Sequence, residues 1–199
     1  MIEMKLRVIS MLIVALSPAW PQGLDQPSLA RRLANSDTRL GALAEVVSLG
    51  NRSVPLLLSW TKSPPGEVDR YQLDIGLADA FAELRTTEAI PFLTSKLHLT
   101  RNHMVNVWLK GPEVIENELP AAAALISIGP AAAKAVMEAF WESITSEDCP
   151  AAIFVVARIV EANPGSVPEA RAFLQEARAY LNIERIWAEE GLRALDKQK

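Results

Sequence analysis

Apolar residues in this chain recur at steps of three and four, in short runs that come in pairs. The clearest pair lies between residues 71 and 97. Leu73, Leu77, Phe81 and Leu84, with Ala80 between them, share one face of a helix. After Thr86 and Thr87, the spacing resumes at Ile90, Leu93 and Leu97. This predicts two antiparallel helices joined by a tight turn. Pro91 falls in the first turn of the second if Glu88 is the cap, where a missing N–H breaks no intrahelical bond. Asp74, Asp79, Glu83 and Arg85 fill the remaining sides and read as solvated charges. So short a hairpin cannot bury its apolar face alone; it needs a neighbouring hairpin.

Three variants of the unit follow from the same pattern. In the first, Ser36 or Asp37 is the expected N-cap, Leu40, Leu43 and Val47 form the stripe, and Gly50 ends the helix. Its second helix opens at Ser53-Val54-Pro55, runs to Trp60, and stops at the Pro- and Gly-containing residues 62–66. The third unit joins an Ala-rich helix over residues 121–128, through Gly129-Pro130, to an apolar face of Ala133, Val136, Met137, Phe140 and Trp141. The fourth has Ile153, Val156, Ala157 and Val160 as its stripe and a turn at Asn163-Pro164-Gly165. Ser166, Pro168 and Glu169 then have the order of a capping box, continued by Ala172 or Phe173, Glu176 or Ala177, and Tyr180. A last helix over residues 182–195 turns Ile183, Ile186, Trp187 and Leu195 inward and its charges outward, as a terminal cap requires. Residues 29–33 read as a capping helix at the other end, residues 20–28 as a loose lead-in, and residues 197–199 as a frayed tail. Residues 100–118 do not fit the hairpin pattern and read as an insertion, with an ordered piece expected near residues 105–109.

The second-helix starts Val54-Pro55, Ile90-Pro91 and Val167-Pro168 share an aliphatic-Pro pair; with Ala133-Lys134 in that place in the third unit, the starts lie 36, 43 and 34 residues apart. The stretch SDTRLGALAEVVSLGNRSVPLLLSW, through Asp37, Arg39, Ala42, Leu49-Gly50 and Val54-Pro55, resembles a HEAT repeat of the short bacterial kind. The other units match mainly at Ile90-Pro91, Ile128-Gly129 and Val167-Pro168, and the resemblance covers roughly residues 29 to 181. It implies an all-α fold, a right-handed α-solenoid of about four helical hairpins (an armadillo-type superhelix) over residues 29–196. It also implies a protein-binding scaffold.

Composition agrees with a helical domain: half the residues are hydrophobic, while aromatics are few. The N-terminus differs in kind. Lys5 and Arg7 precede the apolar run VISMLIVAL, and Ser17-Pro18-Ala19 follows, which is the order of a secretory signal peptide over residues 1–19. The apolar run is about half the ~20 residues that a spanning helix needs, so export to the periplasm or medium is expected, with retention as an anchor the alternative. Net charge is −4, which argues against nucleic acid and anionic membrane as partners.

Candidate chemistry is sparse. His98 and His103 are the two histidines and Cys149 the single cysteine, so no metal-ligand set can be written from spacing and no internal disulfide is available. No motif for a nucleophile, phosphate loop or dinucleotide occurs, so neither a cofactor nor a catalytic residue is assigned. Glu189 and Glu190 diverge on a helix and read as a solvated face. Trp60, Trp141 and Trp187 read as core. Trp108, in the insertion beside Val105, Val107 and Leu109, either tucks the insertion onto the stack or presents an aromatic contact to a partner. The function expected is a non-catalytic exported scaffold that holds a protein or peptide. The alternatives are a small-molecule binder or enzyme using a pocket beside residues 100–118, and a purely structural domain of a larger envelope assembly.

Overall fold

A computed structural model describes residues 25–102, 108, 111–179 and 183–197; the expected signal segment, His103 and most of the expected ordered piece near residues 105–109 lie outside them. The fold is all-α. Its helices are α1 (Gln26–Ala34), α2 (Ser36–Leu49), α3 (Val54–Lys62), α4 (Arg70–Leu84), α5 (Ile90–Thr94), α6 (Pro112–Glu118), α7 (Pro120–Ile128), α8 (Pro130–Glu142), α9 (Cys149–Ala162), α10 (Ala170–Ala177) and α11 (Ile183–Asp196).

Local chemistry sets these bounds. Asp25 caps α1 by accepting from the Ser28 N–H, and Pro27 occupies its first turn, so helix begins within the expected lead-in. Asn35, rather than Ser36 or Asp37, caps α2: its side-chain oxygen accepts from the Asp37 N–H at 2.9 Å. Two carbonyls at the end of α1 accept side chains from α2. Thr38 Oγ1 donates to Arg32 O at 3.0 Å, and Arg39 Nε to Leu33 O at 2.8 Å. Gly50 and Gly129 end α2 and α7 at φ 57° and 87°, where a side chain would be strained. Pro55 and Pro91 sit in the first turns of α3 and α5, as the aliphatic-Pro pairs predict. The pair at Val167-Pro168 does not start a helix. Ser166 turns its hydroxyl back to Asn163 O at 2.7 Å, so the expected capping box is not made and α10 begins at Ala170.

The principal helix pairings run in chain order. α4 packs on α1, α2 and α7; α7 on α4, α5 and α9; α9 on α7, α8 and α11. Alongside these, α3 packs on α4, α5 on α8, and α8 on α10. Position in this order explains burial. The middle helices have neighbours on several sides: α4 is buried continuously from Leu73 to Ala78, and α9 from Ala151 to Ala157.

The end helices differ from the sequence expectation. In α2 the buried residues are Arg39, Ala42 and Val46, while Leu40 is 80 % exposed and Val47 is also exposed. Arg39 is bonded to α1 and α4 and takes an inward position beside Leu40, while Leu43 of the expected stripe is partly buried against the core. In α11, Trp187, Ala188 and Leu192 are buried and Ile186 faces out. Trp60 and Trp187 are core as expected; Trp141 is 56 % exposed, because Phe140 takes the inward position beside it.

Two acidic residues expected at the surface hold the stack together. Asp74 is only 2 % exposed and lies between Arg70 Nε at 2.9 Å and Lys96 Nζ at 2.7 Å. Arg70 also donates to the carbonyls of Trp60 and Thr61, which ties the end of α3 to the start of α4. Asp79 is paired with both guanidinium nitrogens of Arg101. Arg101 in turn donates from its backbone N–H to Glu118 O and from Nε to Asn117 O. Tyr71 OH donates to Thr100 O at 2.6 Å. One end of the expected insertion is thus fastened to α4, and its other end forms α6.

The α4–α5 turn carries one titratable contact. Thr86 Oγ1 donates to Glu88 Oε2 at 2.5 Å, and this bond foremost holds the Glu88 carboxyl below the usual carboxylate range. A lowered folded value contributes stability above the pH at which the unfolded carboxyl titrates, lost as pH falls through the folded value. Thr86→Val is expected to move the Glu88 midpoint upward in an NMR titration; an unchanged midpoint would remove the hydroxyl as its cause.

Candidate functional site

The row formed by α3, α5 and α8 carries two open clefts. The first, between α5 and α8, has a volume of about 700 Å³. Pro91, Thr94, Ser95 and His98 form one wall, Glu138, Ala139 and Glu142 of α8 the other, and residues 143–148 the floor. The second lies between α3 and α5, holds about 830 Å³, and is walled by Pro55, Leu58, Ser59, Lys62, Pro91 and Phe92. Pro91 belongs to both, so the clefts adjoin across α5.

The sequence places these walls. Pro91 fixes the start of α5, and Phe92 meets Phe81 of α4 edge-on at 5.9 Å, which orients α5. In α8, Ala133, Val136, Met137 and Phe140 face the core, so Glu138 and Glu142, four apart, must share the outer side. Trp141 does not line the cleft; it stands edge-on to Phe140 at 4.8 Å and to Phe173 of α10 at 6.3 Å.

The first cleft is acidic. Glu138, Glu142, Glu147 and Asp148 line it, and His98 is the one basic side chain among its lining residues. Asp148 is 9 % exposed. Its Oδ2 accepts from Thr145 Oγ1 at 2.8 Å, and its Oδ1 lies 3.3 Å from His98 Nδ1 without hydrogen-bond alignment. Thr94 Oγ1 is also shielded from solvent and has no hydrogen-bond partner. The second cleft is mainly apolar, with Lys62 and Glu88 at its edge.

The residues singled out by sequence fall elsewhere, with one exception. His98 joins the acidic cleft, half-exposed. Trp108 is partly buried and meets Phe154 of α9 edge-on at 6.3 Å, so of its two roles the packing one has its partner in the fold. A contact with another protein at Trp108 belongs with the proposals below. Cys149 opens α9 beside Asp148; burial pushes its thiol up, and the charges of Glu184 and Asp148 push it further. The thiol therefore stays protonated and poorly nucleophilic at neutral pH. Glu189 is paired with Arg185 at 2.9 Å on the outer side of α11. Among the described residues, no group of three or more His, Cys, Asp and Glu converges as a metal ion requires.

Two smaller clefts touch the expected insertion. One of about 510 Å³ is lined by Arg39, Asp69, Gln72 and Arg101; the other, of about 410 Å³, by Pro112, Arg158, Glu161 and Arg193. Their charged groups are largely engaged: Arg101 with Asp79, and Arg158 with Glu116 and Glu161. Sequence reasoning missed the α5–α8 cleft. Its available signal was the pair Glu138 and Glu142 on an otherwise apolar helix, followed by Glu147 and Asp148. Nothing in that pattern says that α5, some 40 residues earlier, supplies the opposite wall. No family model matches the chain, and neither the curated proteins nor the solved structures include one that matches it.

Proposed function

We propose that this protein is a non-catalytic interaction scaffold. In this reading it is a right-handed α-solenoid of HEAT-like hairpins, exported through the signal-like residues 1–19, that holds a segment of another protein along the α3–α5–α8 row. The serial order of its helix pairings supports the solenoid. The observation that carries the function is the pair of adjoining clefts, one apolar and one acidic, meeting at Pro91. Broad shallow grooves of mixed character suit an extended chain. Trp141, exposed on α8 but lining neither cleft, is an aromatic of the kind enriched at interfaces. Trp108 would be a secondary contact, through whatever part of its ring Phe154 leaves open.

Selection of a random-peptide library on the full chain tests the reading. Ser59→Trp and Ser95→Trp place a bulky ring in either cleft at exposed positions. Selected peptides are expected to lose most of their affinity for these variants and to keep it for Leu40→Ser, on α2. Failure to select any peptide, or equal binding to all three variants, would overturn the proposal.

A further inference from the structure

We infer that the α5–α8 cleft takes a lysine or arginine side chain of the bound segment, whose neighbouring apolar residues continue past Pro91 into the α3–α5 cleft. The inference rests on the scaffold reading and names the chemistry of its partner. Four carboxylates line the cleft, from α8 and from the turn before α9, while the facing wall of α5 and the residues after it carries one titratable group, His98. Nearby cations are spent or turned away. Lys96 is held by Asp74, and Lys134, one turn before Glu138 on α8, does not line the cleft.

The second observation concerns hydrogen bonding. Asp148 is nine-tenths buried and lines the cleft; Thr145 satisfies its Oδ2, but its Oδ1, though 3.3 Å from the half-exposed His98 Nδ1, receives no hydrogen bond. Thr94 Oγ1, on the facing wall, is shielded and unpartnered as well. A buried carboxylate oxygen without a donor is costly, and a cationic N–H donor is the partner that relieves it most. A lysine ammonium or an arginine fork entering between α5 and α8 supplies that donor at Asp148 while Glu138 and Glu142 screen its charge from the rim. An extended peptide, rather than a free small cation, accounts for both clefts, because the apolar one opens directly beside the acidic one and each has the volume of a full ligand site.

The test uses peptides selected on the full chain, made as fluorescent copies and titrated by anisotropy. They are expected to carry lysine or arginine. Their affinity is expected to fall about ten-fold for Glu138→Lys/Glu142→Lys, since each exposed pairing is worth up to about 1 kcal/mol and reversal turns attraction into repulsion. Asp148→Asn is expected to weaken binding by a similar factor or more, and rising salt to weaken it progressively. Both glutamates are exposed, so the double variant retains its fold, checked by circular dichroism. Selected peptides that lack basic residues, or basic peptides indifferent to the charge reversal, would overturn this assignment and leave the scaffold reading standing. Selection of no peptide at all would overturn both.

Discussion

Gly76→Ala is expected to destabilise the protein by about 3 kcal/mol, at the upper end of what overpacking costs. Gly76 lies inside α4 where that helix crosses the end of α1. A β-carbon there would stand 2.4 Å from Leu33 O and 2.9 Å from Leu33 C. Both are backbone atoms, so no rotamer change relieves the clash; α1 and α4 must separate by about 1 Å to restore van der Waals contact. The same carbonyl accepts from Arg39 Nε, so separation also strains the bond that joins α2 to α1. The gain in helix propensity, about 1 kcal/mol, is outweighed. Two other glycines calibrate the result. Gly191→Ala meets the flexible end of Leu174 at 2.7 Å and Ala157 at 3.2 Å, and is expected to cost about 1 kcal/mol. Gly41→Ala, exposed in α2 with nothing within 4 Å, is expected to stabilise by about 0.5–1 kcal/mol. Urea unfolding followed by far-ultraviolet circular dichroism ranks the three. A neutral Gly76→Ala would mean that α1 and α4 do not approach this closely.

Asp74→Ala should lower stability by about 2 kcal/mol, less than the scale for breaking a fully buried ion pair, because the cations left behind, Arg70 and Lys96, are partly exposed. Asp74 is the shared counter-ion of Arg70 and Lys96, and so links the first turns of α4 to the segment that follows α5. Removing it leaves two cations with no counter-charge, and a cavity in a helix buried on most sides. The two contributions separate in a second variant. Asp74→Leu/Lys96→Met replaces the pair with apolar groups, and should recover much of the loss if uncompensated charge dominates. If the double variant is as unstable as Asp74→Ala, packing around α4 rather than charge sets the cost.

The hairpins were legible because their signals are local. Gly50, Gly129, Pro55 and Pro91 act through their own backbones, and each helix start or stop they mark is found where spacing puts it. Local signals failed where a side chain had another partner, near or far. Ser166 satisfied itself within its own turn and left the capping box unmade. Asp74 looked like a surface charge, and Arg39 fell outside the apolar stripe of α2; both are buried because partners from other segments meet them there. Leu40 and Trp141 satisfied the helical period as core residues, yet each faces out, since a residue one position away made the better fit to the adjoining helix.

Sequence by itself determined that this chain is helical, where most of its helices begin and end, and that paired helices must lean on neighbours, because periodicity and turn chemistry act over a few residues. Tertiary structure alone decided which flank of each helix is covered and which residues stand across a cleft from one another. Those outcomes depend on the rotation of one helix against the next, and that rotation is set by contacts such as Gly76 on Leu33 and Lys96 on Asp74, between residues far apart in the chain.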